Sequence, residues 1–322
     1  MRLPEIAFMA LILCAGCSAG KTGDSAAADP ATPEATPLVS FDADSAYSYV
    51  ERLVAFGPRV PNTEAHRLSG DWLASQLRDF GWEVTEQTAQ LKAFDGTNLS
   101  ARNIFAQINP DAADRLLLLA HWDSRPWADN DPDPAKRTEP VVGANDGASG
   151  VGVLLEIARN LGKTNSAAAV DILLVDAEDW GNEGDDSSWA LGTRYFVENP
   201  PVKGYRPKEA ILLDMVGSPS AQFRYEYFSA QSNPTLLRRL WERATALGYG
   251  TYFIPEYGTA VTDDHVELIN AGIPAVDIID YRVTDDYPGF DPVWHTTADR
   301  MDNISRETLR AVGETVAGEI GR

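Results

Sequence analysis

Acids and imidazoles recur at the ends of apolar runs in this chain. Leu116–Ala120 leads straight into His121-Trp122-Asp123, and Ile172–Val175 into Asp176-Ala177-Glu178-Asp179. Asp214 closes the run Ile211-Leu212-Leu213, and Asp146 lies in the glycine-rich stretch Gly143–Gly150. Asp263-Asp264-His265 opens a helical pattern, and His295 follows Val293-Trp294 in a loop. Of the four histidines only His66 stands outside these clusters. So many acids cannot crowd one crevice as bare like charges, because repulsion and desolvation would push some of them neutral. A cation resolves the conflict. Cys14 and Cys17 are the only cysteines and both precede the folded part, so the ligands must be nitrogen and oxygen. Carboxylate oxygen with neutral imidazole suits Zn²⁺, held by about three protein ligands with one position open to water or substrate. Taken singly, each residue has a plainer reading: a loop histidine such as His295 is more often a surface group, and Asp146 can simply cap the helix behind it. The glycine-rich stretch matches neither the GxGxxG spacing of a dinucleotide site nor a P-loop, which needs a Lys-Ser/Thr. Joint placement is what favours a site.

That placement depends on the elements between the clusters. Apolar positions at helical spacing predict helices over 43–56 and 63–80, with Gly57 and Gly81 as stops. Beyond them, strand-like runs at 104–108, 116–120, 170–175, 210–215, 251–254 and 275–279 alternate with helical patterns. These cover 150–161, 188–198, 235–247, 264–270 and 305–320. Alternation with strands apolar on both faces, as in Leu116-Leu117-Leu118-Leu119, predicts an α/β domain. Its mixed, mostly parallel twisted sheet would carry helices on both faces, with the site at the carboxyl ends of the strands. No internal repeat appears, so residues 39–322 read as a single catalytic domain.

Composition narrows the partners. The chain has 322 residues, with 27 Lys and Arg against 48 Asp and Glu, a formal charge of −21 that repels phosphate backbones and anionic membranes. Nucleic acid is therefore not expected. Residues 1–17 read as a secretory signal ending in Leu13-Cys14-Ala15-Gly16-Cys17, which resembles a bacterial lipoprotein signal with Cys17 lipidated. The expectation is an exported protein, periplasmic or anchored to the outer membrane, touching a membrane only through that lipid. Residues 18–38 have the Ala, Asp, Pro, Ser and Thr composition of a flexible linker. Asp129-Asn130-Asp131-Pro132-Asp133 lacks the spacing of an EF-hand and reads as a solvated loop. Phe223–Phe228 reads as a strand or sheet edge rather than a base-stacking platform.

Taken in order, His121-Trp122-Asp123, Gly143–Gly150, Asp176–Asp179, Leu213–Gly217, Asp263-Asp264-His265 and Trp294-His295-Thr296 resemble the zinc-aminopeptidase-like hydrolase superfamily. With Phe56–Pro61 they resemble its glutaminyl-peptide cyclotransferase (glutaminyl cyclase) branch, of bacterial type, over roughly residues 42 to 320. The resemblance implies Asp146, Asp179 and His295 as zinc ligands and Glu178 as general acid and base. Asp214 joins the catalytic network with one of Asp263 and Asp264; Asp264 is placed in the catalytic set and Asp263 against the substrate. Trp294 becomes a wall of the substrate pocket, and His121 a second metal ligand or a support behind the first. Where the animal enzymes carry Glu-Glu, this chain has Glu178-Asp179, so the backbone must approach the metal by about one methylene.

The reaction implied is attack of an N-terminal glutamine's α-amine on its own side-chain carboxamide, giving pyroglutamate and ammonia, with one zinc per chain and peptides bearing N-terminal Gln as partners. The competing expectation is a two-zinc aminopeptidase, in which Asp146 bridges the metals and His121, Asp179, Asp214 and His295 complete the set. A non-catalytic binding protein on the same fold is disfavoured by the presence of all of these groups.

Overall fold

The structure, a computed structural model, describes residues 39–164, 167–283 and 289–321; the expected signal and linker lie outside the described residues. The described chain opens with α1 (Ala43–Val54) and α2 (Glu64–Asp79), each started by a side-chain cap. Asp42 accepts from the backbone N–H groups of Asp44 and Ser45, and Thr63 from that of His66. Then come β1 (Glu83–Lys92), β2 (Asn98–Ile108), β3 (Leu116–His121), α3 (Ala148–Gly162), β4 (Val170–Val175), α4 (Leu191–Glu198) and β5 (Glu209–Asp214). The remainder is β6 (Phe223–Tyr225), α5 (Tyr227–Ser232), α6 (Pro234–Ala246), β7 (Phe253–Tyr257), α7 (Asp264–Asn270), β8 (Ala275–Ile279) and α8 (Arg306–Ala317).

Six strands form one sheet in the order β1-β2-β4-β3-β5-β8. β4, β3, β5 and β8 run parallel, while β1 and β2 add an antiparallel edge. The expected mostly parallel sheet is thus present, and side-chain alternation divides its two cores. Leu118, Ala120, Ile172, Leu174, Ile211 and Leu213 pack under α1, α2, α3, α6 and α8, whereas Leu117, Leu119, Leu173 and Leu212 pack under α4 and α7. β1 was not expected, because its run from Glu83 to Lys92 is polar and half-exposed, an edge strand with one hydrogen-bonded neighbour. The stretch 223–228 divides into short β6 and the start of α5, with β6 and β7 pairing apart from the main sheet.

β3 lies centrally, and the chain crosses from it through α3 to β4 on one side before β5 forms on the other. This reversal of winding opens a crevice at the carboxyl ends of β4, β3 and β5, the place where open α/β sheets bind ligands. His121 and Asp214 are the last residues of β3 and β5. Asp176 to Asp179 follow the end of β4 directly.

Candidate metal centre and active site

The turn before α3 brings Asp146 into the crevice, and two glycines make that approach possible. Gly147 has φ +87°, and a Cβ there would stand 2.4 Å from the Asp123 carbonyl oxygen; one on Gly150 would stand 2.1 Å from that of Leu213. Ala177, Met215 and His295 are non-glycine residues with φ of 54°, 48° and 54°. Each lies within a residue of a candidate group or is one, so local strain accompanies the residues that aim at the crevice.

Two clusters of donors meet at Asp146. In the first, His121 Nε2 is 3.0 Å from Asp146 Oδ1 and 3.1 Å from Asp214 Oδ1. In the second, His295 Nε2 is 3.2 Å from Asp179 Oδ1 and 3.6 Å from Asp146 Oδ2. All five side chains are buried. The His295 ring stacks on Trp294 at 3.8 Å between centroids and lies nearly parallel to Trp189 at 6.1 Å. Asp179 Oδ2 and His295 Nδ1 are buried without a hydrogen-bond partner among the described residues.

The electrostatics follow from burial. Desolvation, then the neighbouring charge of Asp146, raises the Asp179 carboxyl. Glu178 is pushed well above the ordinary glutamate value by burial, with Asp263 and Asp179 adding to the rise. Burial lifts Asp214 to about 6 against the pull of His121, and lifts Asp263 to about 7 with help from Asp214. Burial disfavours the His121 imidazolium, yet Asp123, Asp146 and Asp214 outweigh it and hold that group well above the usual histidine range. Crowded, desolvated carboxylates and an orphaned oxygen on Asp179 fit a divalent cation held by Asp146, Asp179 and His295. The chemistry of this donor set is that of a zinc site with an open position.

A cavity of about 280 Å³ opens over these donors. Glu178, Asp214, Asp263, Trp294 and Trp189 line it, with Met215, Val261, Ile279 and Phe290 as its apolar part. Asp263 lines the cavity and Asp264 does not. Asp263 stands in extended conformation as the N-cap of α7 (φ −157°), whereas Asp264 is the first helical residue, fully buried, its carboxyl raised by burial and by Asp263. His265 turns away into a separate buried group with Glu226 and Asp277.

Residues not assigned from sequence hold the site from behind. The Asp123 carboxylate accepts from the N–H groups of Glu178 and Asp179, each at 3.2 Å. Asp299 does the same for Asn145 and Asp146 at 2.8 and 3.0 Å. Buried Arg59, within the Phe56–Pro61 segment, donates to the carbonyls of Trp122, Val142 and Gly143. The acidic loop is no free solvated loop. Asn130 N–H donates to the His295 carbonyl, and Asp131 accepts from Thr297, so this loop anchors the segment that carries His295.

A family model for Peptidase family M28 matches residues 103–320. The chain belongs to that family. Among solved structures, a glutaminyl cyclase from Porphyromonas gingivalis is 52% identical with a TM-score of 0.85, covering 87% of this chain and 98% of that one. A Zn-dependent exopeptidase from Parabacteroides distasonis is 48% identical, also with a TM-score of 0.85, covering 88% of this chain and 99% of that one. Aminopeptidase YwaD of Bacillus subtilis is 27% identical over 290 residues, 85% of this chain and 55% of that protein, so the chain spans only about half the length of this relative. Within the M28 peptidases the chain stands with the bacterial glutaminyl cyclases.

Proposed function

We propose that this M28 protein is a zinc-dependent glutaminyl cyclase, converting N-terminal glutamine of peptides to pyroglutamate and ammonia, with one zinc on Asp146, Asp179 and His295. The observation that carries this reading is the 52% identity over nearly the whole length of a bacterial glutaminyl cyclase. The cavity supports it. At about 280 Å³ it lies below the usual range for larger ligands and suits a single N-terminal residue, with Trp294 and Phe290 against its methylenes.

Both reacting groups belong to one residue, so the protein's task is to fix a reactive conformer and move a proton. When bound, zinc supplies Lewis-acid polarisation of the γ-carbonyl oxygen. Glu178, in the cavity wall and held above the usual carboxyl range by burial, takes the proton released as the amine nitrogen bonds to the carboxamide carbon. It returns that proton to the departing amide nitrogen, which leaves as ammonia. Asp263 and Asp214 line the same wall, where they would accept hydrogen bonds from the substrate amine and from the nitrogen that leaves.

A second reading rests on one specific observation: His121, Asp146 and Asp214 form another compact donor group. With a metal there, the site would be that of a two-zinc aminopeptidase. The deciding experiment sets ammonia release from a Gln-initiated dipeptide amide beside hydrolysis of Ala- and Leu-initiated chromogenic amides, with zinc per chain measured on the same sample. Ammonia, a product lighter by one ammonia, and intact chromogenic amides are expected. Hydrolysis at two zincs per chain would replace cyclisation by the second reading.

The same proposal places the protein outside the cytoplasm, tethered through a lipid on Cys17. Mass spectrometry of the mature N-terminus from a bacterial host tests this, and an unmodified N-terminus beyond Cys17 would remove the anchor.

A further inference from the structure

The guanidinium of Arg125 meets Asp179 directly and reaches His295 through Asp129. Its side chain is 1% exposed and lies between the faces of Trp127 and Trp189, at 5.2 and 4.9 Å from the ring centroids. Nη1 donates to the carbonyl oxygens of Asp179 at 3.0 Å and Gly181 at 3.2 Å, and stands 3.6 Å from Asp179 Oδ1. Nε and Nη2 form a two-pronged pair with the carboxylate of Asp129, at 3.0 and 2.5 Å. On its other side Asp129 Oδ1 faces Nδ1 of His295 at 3.6 Å, and the next residue's N–H holds the His295 carbonyl. Trp189, one of the two rings enclosing Arg125, is also a neighbour of the His295 ring.

We propose that Arg125 and Asp129 form one clamp that presets Asp179 and His295 as ligands and thereby sets the zinc affinity. The proposal rests on the ligand set given above. Asp179 is a short carboxylate, so its reach depends on where its backbone stands. Arg125 fixes that backbone from the carbonyl side while Asp123 fixes it from the N–H side. For His295, the Asp129 carboxylate stands 3.6 Å from the ring nitrogen that does not face the metal, beyond hydrogen-bond distance, so its charge favours a proton on that nitrogen and leaves the other as the donor. The planar fork of arginine joins the two tasks in a way that the point charge of lysine cannot.

The test uses the full chain with Asp129→Asn and Arg125→Lys, alone and together. Zinc retention is read by chelator competition, ligand geometry by the visible spectrum of the Co²⁺-loaded protein, and fold by thermal unfolding of the metal-free form. Each single variant is expected to hold zinc about 10–100-fold more weakly, with shifted Co²⁺ bands. The double variant should lose less than the two effects combined, because one clamp is broken twice. Metal-free unfolding of Asp129→Asn reports separately the cost of leaving buried Arg125 without its carboxylate partner. Wild-type zinc retention and an unshifted Co²⁺ spectrum in both single variants overturn the clamp, as does a drop confined to metal-free stability. His295→Ala is the control for the ligand set: if it keeps its zinc, that assignment fails, and if it alone loses zinc, only the clamp fails.

Discussion

The two donor clusters that share Asp146 are made of different material. His121 and Asp214 are the terminal residues of neighbouring parallel strands, held by the ladder behind them. Asp179 and His295 sit on loops, the first held by Asp123 and Arg125, the second in a left-handed backbone conformation. The strand-end cluster is closed on itself, with one imidazole nitrogen within 3.1 Å of both carboxylates. The loop cluster is more open, at 3.2 and 3.6 Å, and leaves Asp179 Oδ2 without a partner. Among the described residues each cluster keeps a buried atom without a hydrogen bond, His121 Nδ1 in the first and Asp179 Oδ2 in the second, but only the second is a carboxylate oxygen, the kind of atom that gains most from a cation. The difference supports the proposed single zinc at the loop cluster, on a fold that keeps a second compact donor group.

The sharpest way to break this asymmetry is to remove one histidine from each cluster. His295→Ala should lose bound zinc and all turnover, while His121→Asn should keep one zinc per chain, both read by metal analysis of the purified proteins. A wild-type protein carrying two zincs, falling to one in His121→Asn, would erase the distinction. Glu178→Gln comes next in size: it should lower kcat by about 10²–10⁴-fold with zinc content unchanged, because it removes the proton carrier and no ligand. Full activity in that variant would refute the proton path assigned to Glu178.

The strand-end cluster was the more legible in the sequence, for the same reason that it is the more rigid. An apolar run such as Leu116–Leu119 announces a buried strand, and the polar residue that ends it must then lie at the sheet's edge. Asp179 is placed by the same reading, just beyond the run Ile172–Val175, whereas His295 has no such run before it and the ligand roles rest on resemblance, since no periodicity says where a loop points. Asp129–Asp133 shows the limit. Its composition is that of a solvated loop, and only the fold shows Asp131 bonded to Thr297 at a separation of 166 residues. Asp263 and Asp264 show another: adjacent identical residues differ because one caps a helix in extended conformation and the other begins it. β1 escaped because an edge strand need not be apolar.

A smaller effect depends on pH and lies in the cavity wall beside the two clusters. Asp263 carries a carboxyl raised by burial and by Asp214 to about 7, against 3.8 unfolded. Between those values the folded, metal-free protein holds a proton that the unfolded chain releases. The contribution of Asp263 to stability is therefore greatest at the acid end of that window and is lost as pH rises through it. Asp263→Asn removes the charge that must otherwise form in the cavity wall. It should raise metal-free stability at pH 8 by roughly 1–3 kcal/mol and change little at pH 4, as urea unfolding at the two pH values would show. Equal effects at both would assign the gain to packing rather than to charge.

The smallest expected effect bears on why the loop cluster works with a short carboxylate. If a longer side chain merely reached further, Asp179→Glu would bind zinc more tightly. The backbone here is already drawn in, with the Asp179 N–H on Asp123 and its carbonyl on Arg125, so the added methylene has no slack to occupy. Overpacking of that kind costs about 1 kcal/mol, and zinc retention should weaken several-fold. Tighter retention in chelator competition would mean that the loop yields, and that the strand-end cluster alone is rigid.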